Sequence, residues 1–432
     1  MNLSTKKNNG ARTIPGISLV VLAVALLVIV LLVAACGNGS ATGSTATTAA
    51  AGGTATTAAA ATDTTGNAAV SAPTGDSIVI GAIVSATGPG AALGEQERNT
   101  LQLEQDTINA KGGVLGRPLK IVVEDDKSDP KEAVTAANKL LTQDKAIALI
   151  AATTSSSTLA VKAITAAKSI PQMAMAAAND VTDKAPADWI WRTPQKDSMA
   201  VQRALDYISK NLKVTKIAVL HDENAFGASG DAEIAKEAPG MGLKVVDSES
   251  YKTADTDMTA QLTKIKGFNP DVLIVWGTNP GPALAAKNMK QLGMTIPYVG
   301  SHGIANATFI KLAGDAAEGV AFPAGSLLVP SSISDAKQKA VTEAFIADYS
   351  KKYSANPNPF AGYAFEAITI LADAIGRAGS TDAKAIQTAL NATQGFAGPD
   401  GIYNYSATNH DGLTASDMIM VKIQGGTWVL AE

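Results

Sequence analysis

Cysteine is nearly absent from this chain, since Cys36 is the only one in 432 residues. A single thiol excludes intrachain disulfides and thiolate-rich metal sites, so the fold has to be stable without them. The chain has only three histidines, His221, His302 and His410, and their spacing matches no metal-binding motif. The motifs G-x-S-x-G, H-E-x-x-H and C-x-x-C do not occur. We therefore expect no metal, no cofactor and no enzymatic activity.

Strong charge of either sign is also lacking. The formal net charge is −4, and no basic patch is interleaved with aromatic residues. This composition excludes nucleic acid as an expected partner. From position 76 onward about 355 residues remain, which is more than one typical core and suits two domains.

The N-terminus has the pattern of a secretory signal. Lys6, Lys7 and Arg12 precede an apolar run at 17–35, which contains one polar residue, Ser18. Small residues end this run directly before Cys36, which resembles a bacterial lipobox. We predict a signal peptide at 1–35 and a lipid on Cys36 that anchors the chain to the membrane. The alternative is an uncleaved membrane helix, for which the run is just long enough.

Residues 36–75 are almost wholly Ala, Thr, Gly and Ser, with no aromatic residue and one charge, at Asp63. Such a segment cannot bury a core. We predict a flexible tether with a reach of about 30–40 Å. A tether of this length lets a globular body stand away from a membrane.

The rest of the chain alternates short apolar strands with amphipathic helices. Strands are predicted at 77–84, 119–124, 146–151 and 172–176, and again at 216–220, 243–251 and 272–276. Continuous apolar strands between helices are typical of parallel sheets covered on both faces. Two such series predict an α/β fold with two doubly wound parallel-sheet lobes.

Polar residues follow several of these strands, where ligands bind in such sheets. The most conspicuous is a run of six hydroxyl residues at 153–158, at the start of a predicted helix. Hydroxyls and free N–H groups at a helix N-terminus can bind an anion such as a carboxylate. The alternative is ordinary N-capping, which requires only one hydroxyl.

Several longer motifs then resemble the leucine/isoleucine/valine-binding proteins of ABC importers. They are TGPGAALGEQ at 87–96, INAKGGVLGRPLKIVVEDDKSDPKEAV at 108–134, ANKLL at 137–141, FGASG at 226–230, DTDMTAQLTKIK at 255–266 and IKLAGDAAEGV at 310–320. The spacing of INAKGG and EDDKSDP is the most specific part. The resemblance covers nearly all of 76–432.

The resemblance implies the type I periplasmic-binding fold, with a three-stranded hinge between its lobes. Lobe 1 is expected at 76–194 and 327–416, and lobe 2 at 195–326 and 417–432, with the final strand near 418–423 in lobe 2. It further implies a monomer outside the cytoplasm that closes on a small-molecule ligand and docks on a membrane permease. A binding protein that serves a separate signalling receptor is the alternative.

The resemblance also implies ten ligand-binding positions, which are Leu93, Thr154, Ser155, Ala176, Ala177, Ala178, Phe226, Thr278, His302 and Phe360. Ser155 matches the serine that holds the ligand carboxylate in the family. His302 stands where the family has the acid that binds the ligand ammonium, and Ala178 replaces a threonine that helps it.

The carboxylate end of the family's site is thus retained and the ammonium end is not. A buried ammonium without a carboxylate partner is costly. We therefore predict that the ligand is a small organic acid, including aromatic and branched acids, which binds through its carboxylate; an amide is an alternative. An amino acid remains an alternative if Asp222, Asn179 or Glu223 supplies the missing acceptor.

Overall fold

The computed structural model describes residues 72–431. The predicted signal peptide, Cys36 and most of the predicted tether lie outside the described residues and stay predictions. Within 72–431, no helix is long and apolar enough to cross a membrane.

The first sheet has five parallel strands in the order β2-β1-β3-β4-β5. The strands are β1 (Ile78–Val84), β2 (Leu119–Asp125), β3 (Ala148–Ala151), β4 (Gln172–Ala174) and β5 (Ile190–Arg192). The helices between them are α1 (Ala91–Ala110), α2 (Pro130–Thr142), α3 (Ser155–Lys168) and the short α4 (Asp180–Asp183). This sheet and its helices form lobe 1.

The second sheet has seven strands in the order β14-β13-β10-β9-β8-β6-β7 and forms lobe 2. Its strands are β6 (Lys216–Asp222), β7 (Lys244–Tyr251), β8 (Val272–Trp276), β9 (Tyr298–Gly300), β10 (Ala321–Gly325), β13 (Met418–Gln424) and β14 (Thr427–Leu430). Its helices are α5 (Asp197–Tyr207), α6 (Ala225–Glu237), α7 (Thr259–Gly267), α8 (Gly281–Gln291) and α9 (Ala307–Ala313). The last two strands are antiparallel to their neighbours.

After β10 the chain returns to lobe 1. It forms α10 (Ala336–Tyr353), α11 (Pro359–Ala378), α12 (Ala383–Asn391) and a small hairpin of β11 (Phe396–Gly398) and β12 (Gly401–Tyr403). Helix α11 packs along α1, and its apolar face joins the core of the first sheet. The chain therefore passes between the lobes three times, after β5, after β10 and after β12.

The predicted α/β fold with two parallel-sheet lobes is confirmed. The lobe boundaries predicted at 194/195, 326/327 and 416/417 are kept as a proposal, and they lie in the three connections. One expectation is wrong in detail, because β13 is not the final strand and β14 pairs with it at the edge.

Strand β4 is shorter than predicted, ending at Ala174 instead of Ala176. The carbonyl groups of Ala177 and Ala178 do not pair with a neighbouring strand. They accept hydrogen bonds from Nη1 of the buried Arg192, at 2.7 and 3.0 Å. Arg192 is held in turn by Asp411, 3.0 Å from its Nε. The loop after β4 is thus bound to a guanidinium group instead of extending the sheet.

Both lobes bring a helix unusually close to the end of their first strand. A Cβ atom on Gly94 of α1 would lie 2.3 Å from the carbonyl oxygen of Ser85, and one on Gly227 of α6 would lie 2.0 Å from that of Asp222. Only glycine leaves room for such an approach of backbone to backbone. The start of each helix therefore lies at the carboxyl end of its sheet.

Candidate functional site

A cavity lies between the carboxyl ends of the two sheets, and its space together with its opening to solvent amounts to about 480 Å³. Lobe 1 and the connection after β5 contribute Leu93, Thr153, Thr154, Ser155, Ser156, Met175, Ala176, Ala177, Pro194, Phe360 and Tyr363. Lobe 2 contributes Asn224, Phe226, Thr278, His302 and Gly303.

Nine of the ten positions implied by the family resemblance lie in this lining. Ala178 does not, because the loop after β4 turns away at this residue. Its N–H donates to Oγ of Ser155 at 3.2 Å, and its side chain packs in a small apolar cluster behind the wall. Ala178 therefore supports the cavity without facing it.

No aspartate, glutamate, lysine or arginine belongs to the lining that the described residues form. The polar groups that line it are hydroxyls, an amide, an imidazole and backbone. Such a cavity can bind one ionised group only where backbone dipoles favour it.

The N-terminus of α3 supplies such dipoles. Thr154 is its N-cap, and the Thr154 side chain accepts from the N–H of Ser157 at 3.3 Å. The first N–H groups of a helix have no partner within the helix, and those of Ser155 and Ser156 belong to this turn. Oγ of Ser155 accepts from Ala178, which leaves its own proton available to a ligand. Together these groups form a candidate anion site.

The other hydroxyls of the run have separate structural functions. Thr158 bonds through its side chain to both the N–H and the carbonyl of Ala152. Oγ of Ser156 accepts from the N–H of Ala225 in lobe 2 at 3.3 Å. Thr153 accepts from the N–H of Ser85 at 2.9 Å and donates to Glu97. The anion site thus uses part of the run, and the rest holds the surrounding backbone.

Glu97 lies fully buried beneath the wall that Thr153 forms. Burial raises the pKa of this carboxyl to about 8, against the opposing effect of the hydrogen bond from Thr153. Its Oε1 has no partner in the part of the chain that the structure describes. Glu97 is therefore mostly protonated at neutral pH and places no full charge near the cavity.

His302 lies at the other end of the cavity, in lobe 2, and is 2% exposed. The rings of Phe226 and Trp276 lie edge-on to it, with centroids 5.2 and 6.0 Å away. Burial lowers the pKa of His302 to about 3, so the imidazole is neutral. Neither ring nitrogen has a partner among the described residues. The ring therefore has one donor and one acceptor to offer a ligand.

None of the three residues considered as an alternative acceptor for an ammonium lines the cavity. Asp222 is buried and accepts from Thr253 and from the N–H of Asn224. Glu223 accepts from Ser250, and the Asn179 side chain donates to Glu233. A buried carboxylate for a ligand ammonium is therefore lacking in the described lining.

Seven lining residues were not predicted, namely Thr153, Ser156, Met175, Pro194, Asn224, Gly303 and Tyr363. Tyr363 had a sequence signal, because it lies three residues after Phe360 on α11 and thus on the same helix face. Its hydroxyl has no partner among residues 72–431. Thr153 and Ser156 belong to the hydroxyl run, where the sequence could not divide ligand contacts from structural ones.

No cluster of three or more His, Cys, Asp or Glu side chains within the described range has the geometry of a metal site.

Comparison with protein families and curated proteins gives several matches. A family model described as "Periplasmic binding protein" matches residues 77–427. The chain is 30% identical over 358 residues to "Leu/Ile/Val-binding protein BraC3" of Rhizobium johnstonii, covering 82% of this chain and 94% of that protein. It is 31% identical over 330 residues to a "Leucine-, isoleucine-, valine-, threonine-, and alanine-binding protein" of Pseudomonas aeruginosa, covering 76% and 85%.

Solved structures of similar fold cover nearly the same part of the chain. The leucine-binding protein LivK of Thermotoga maritima has a TM-score of 0.76 at 25% identity, covering 82% of this chain and 98% of LivK. The substrate-binding protein LivJ of Streptococcus pneumoniae, solved with isoleucine, has a TM-score of 0.73 at 27% identity. The match covers 82% of this chain and 98% of LivJ.

Proposed function

The chain belongs to the periplasmic binding protein family, the extracytoplasmic substrate-binding proteins of ABC transporters, and we propose that its ligand is a small carboxylate without an ammonium group. The observation that supports this proposal most directly is a cavity whose described lining has an anion site at one end and no formal charge elsewhere. The ligand is delivered to a membrane permease when the lobes reopen.

At the proposed carboxylate end, Ser155 and the first N–H groups of α3 bind the anion. Hydrogen bonds to an ionised group are stronger than those between neutral groups. The positive end of the helix dipole adds to them within the first turn. One ionised group on the ligand is thus compensated without a cationic side chain.

At the other end, the neutral His302 binds an uncharged polar group or packs against an apolar one. Phe226, Phe360, Leu93 and Met175 supply apolar surface to the cavity. A branched or aromatic organic acid, with or without a hydroxyl, matches this combination. The cost of removing an ammonium group from water would not be compensated here, because a carboxylate partner is lacking in the described lining.

A branched-chain amino acid is the second candidate. The curated relatives are named for binding such ligands, and one solved neighbour holds isoleucine. One observation in the cavity favours it, because a neutral imidazole nitrogen of His302 can accept a hydrogen bond from an ammonium. The two candidates differ in a single group on the ligand.

The test compares three nearly isosteric ligands, leucine, 2-hydroxy-4-methylpentanoate and 4-methylpentanoate, which carry an ammonium, a hydroxyl or a hydrogen at the same carbon. Benzoate and 4-hydroxybenzoate extend the series to aromatic acids. Titration calorimetry of the purified full chain in detergent gives each dissociation constant. Binding of either pentanoate or of a benzoate at least tenfold tighter than leucine supports the proposal. Micromolar leucine binding with weak binding of its two analogues overturns it in favour of the amino acid.

The anchoring part of the proposal concerns Cys36, which we propose becomes the lipid-bearing first residue after signal cleavage. Several acyl chains anchor a protein firmly. Mass spectrometry of the mature protein from a bacterial membrane tests it. An N-terminal peptide that begins at an acylated Cys36 is expected, and a retained 1–35 segment contradicts it. Service to a separate signalling receptor instead of a permease remains the alternative role, and we propose a monomer in either case.

A further inference from the structure

We infer that a polar contact between the lobes, outside the cavity, determines how strongly the protein closes and therefore how tightly it holds its ligand. We name it the closure latch and define it as Asn179 of lobe 1 with Ser229 and Glu233 of α6 in lobe 2. This inference goes beyond the proposed function and does not depend on which ligand binds.

The latch is a set of directional hydrogen bonds that cross from one lobe to the other. The N–H of Asn179 donates to Oγ of Ser229 at 3.0 Å. Its side-chain Nδ2 donates to Oε2 of Glu233 at 2.9 Å, and its Oδ1 accepts from the N–H of Ser198 at the start of α5 at 3.0 Å. The backbone N–H and both polar side-chain atoms of Asn179 thus each make one bond to lobe 2. Bonds to Ser229 and Glu233 have to break when α6 moves away from lobe 1.

None of the three latch residues belongs to the cavity lining. A ligand therefore cannot be the reason for these contacts. The latch is nevertheless joined to the cavity on the lobe 1 side, because Asn179 follows Ala176–Ala178 in one loop. Arg192 binds the carbonyl groups of that loop from behind, including that of Asn179 at 3.4 Å.

The latch is joined to the cavity on the lobe 2 side as well. Ser229 is hydrogen-bonded to the carboxyl of Asp197, which also accepts from Nε1 of Trp276 at 3.1 Å. Trp276 packs against His302 and Phe226, which line the cavity. The N–H of Asp197 donates to the carbonyl of Ala177 at 2.9 Å. The latch is therefore linked by direct contacts to the cavity lining of both lobes, and these contacts form together when the lobes close.

The consequence for affinity follows from the closing equilibrium. A ligand that contacts both lobes binds the closed form, so its apparent dissociation constant is inversely proportional to the closed fraction. A net hydrogen bond corresponds to about a twofold to tenfold change in an equilibrium constant. Removing one latch bond is therefore expected to weaken binding by about that factor, mainly through faster dissociation.

The experiment measures closure directly and without ligand. Lys131 at the start of α2 and Lys252 after β7 are exposed and lie beside the outermost strands, β2 and β7, of the two sheets. Both are replaced by cysteine in a full chain that carries Cys36→Ser, so that two spin labels are attached. Bound ligand is removed by unfolding and refolding. The distribution of distances between the two spin labels is then measured by pulsed electron paramagnetic resonance.

The variants Ser229→Ala and Glu233→Ala each remove the side-chain acceptor of a latch bond, and each has a matched control. Ser248→Ala removes a hydroxyl on the outer strand β7, which bonds within lobe 2 to Asp231. Glu237→Ala removes an exposed carboxylate at the end of α6, which pairs only with Lys236 among the described residues. All four variants are checked for an unchanged midpoint of thermal unfolding, so that loss of packing is recognised.

In the two latch variants, the population at the short (closed) label-to-label distance relative to that at the long (open) distance is expected to fall twofold to tenfold. The two controls are expected to show no change. Where a compound of the pentanoate or benzoate series binds, the latch variants should also release it faster by a similar factor. Latch variants that match their controls in the ligand-free distance distribution overturn the inference. If none of the compounds binds, the proposed function is contradicted. The ligand-free distance measurement still tests the latch independently in that case.

Discussion

Ser155 has one protein partner in the structure, and the proposed ligand would be its second. Its oxygen accepts from the N–H of Ala178 and its proton is free to reach a ligand. The hydroxyl run and the family resemblance predicted a ligand contact at this residue, and the structure places it in the cavity lining. The sequence could not identify Ala178 as a supporting residue, because a backbone donor is not encoded in side-chain identity.

Replacement Ser155→Ala is expected to weaken carboxylate binding by about tenfold to a hundredfold, since a hydrogen bond to a charged group is worth about 1.5–3 kcal/mol. Titration calorimetry with the tightest-binding compound of the pentanoate or benzoate series measures the change. Ser350→Ala on the outer helix α10 is the control and should leave the dissociation constant unchanged. Equal affinity in Ser155→Ala and the wild type would remove Ser155 from the anion site.

Glu97 is a second residue that sequence alone could not place, because its burial depends on the packing of α1 against the first sheet and α11. The pKa of its carboxyl is about 8 in the folded protein, against an ordinary value of 4.5. The folded state therefore keeps a proton that the unfolded state releases. Stability from this group is fully present below about pH 4.5 and is lost as pH rises toward and through about 8.

Replacement Glu97→Gln removes this pH dependence while keeping an acceptor for Thr153. Thermal unfolding at pH 5 and pH 9 is expected to show a smaller loss of stability than in the wild type. The difference should be a few kcal/mol, since one pKa unit corresponds to about 1.4 kcal/mol. Glu343→Gln, at an exposed position of α10, should follow the wild type. A variant that loses as much stability as the wild type would contradict the assigned pKa.

At the scale of elements, local signals predicted the N-terminal half of the fold well. Asp129 followed by Pro130 has the pattern of a helix start, and the Asp129 side chain accepts from the N–H of Lys131 at 2.8 Å. The apolar strands β1, β3 and β8 were found from composition, because both of their faces are buried. Strand β5 was missed, since its three residues are too few for a periodic pattern.

Helices α10, α11 and α12 were not assigned from periodicity, and their return to lobe 1 came from the family resemblance alone. Helix α11 is apolar on nearly all sides because it is buried between α1 and the sheet. A helix of this kind lacks the polar stripe that identifies amphipathic helices. Long-range packing of this sort has no local signature in the sequence.

The close approach of α1 and α6 to their sheets gives a prediction for these elements. Replacement of Gly94 or Gly227 by alanine puts a Cβ against a backbone carbonyl and is expected to destabilise the fold by about 1–3 kcal/mol. Gly376→Ala, in α11, is the matched control, because no atom lies within 4 Å of the added Cβ. It should stabilise by up to about 1 kcal/mol. Urea unfolding measures the free energy of unfolding of all three variants. Equal changes in the Gly94 or Gly227 variant and in Gly376→Ala would contradict the proposed packing.

At the scale of the whole molecule, the two series of alternating strands and helices predicted two lobes, and the family resemblance predicted the region of the ligand site. The inter-lobe contacts could not be predicted in this way. Asn179 and Glu233 are 54 residues apart and approach each other only when the two sheets face one another. The balance between open and closed forms is therefore a property of the complete fold.

The uncharged lining has a further consequence, which concerns ionic strength. Attraction between exposed charges is screened over about 10 Å at 0.1 M salt, whereas short hydrogen bonds and fixed dipoles inside a closed cavity are screened much less. Because the described lining contributes no ion pair, we expect the dissociation constant of the carboxylate ligand to change by less than about threefold between 0.05 and 0.5 M sodium chloride. Calorimetry across this range measures the dissociation constant. A tenfold loss of affinity at high salt would indicate that a charged side chain binds the ligand. A receptor of this kind retains its solute whether the surrounding water is dilute or saline.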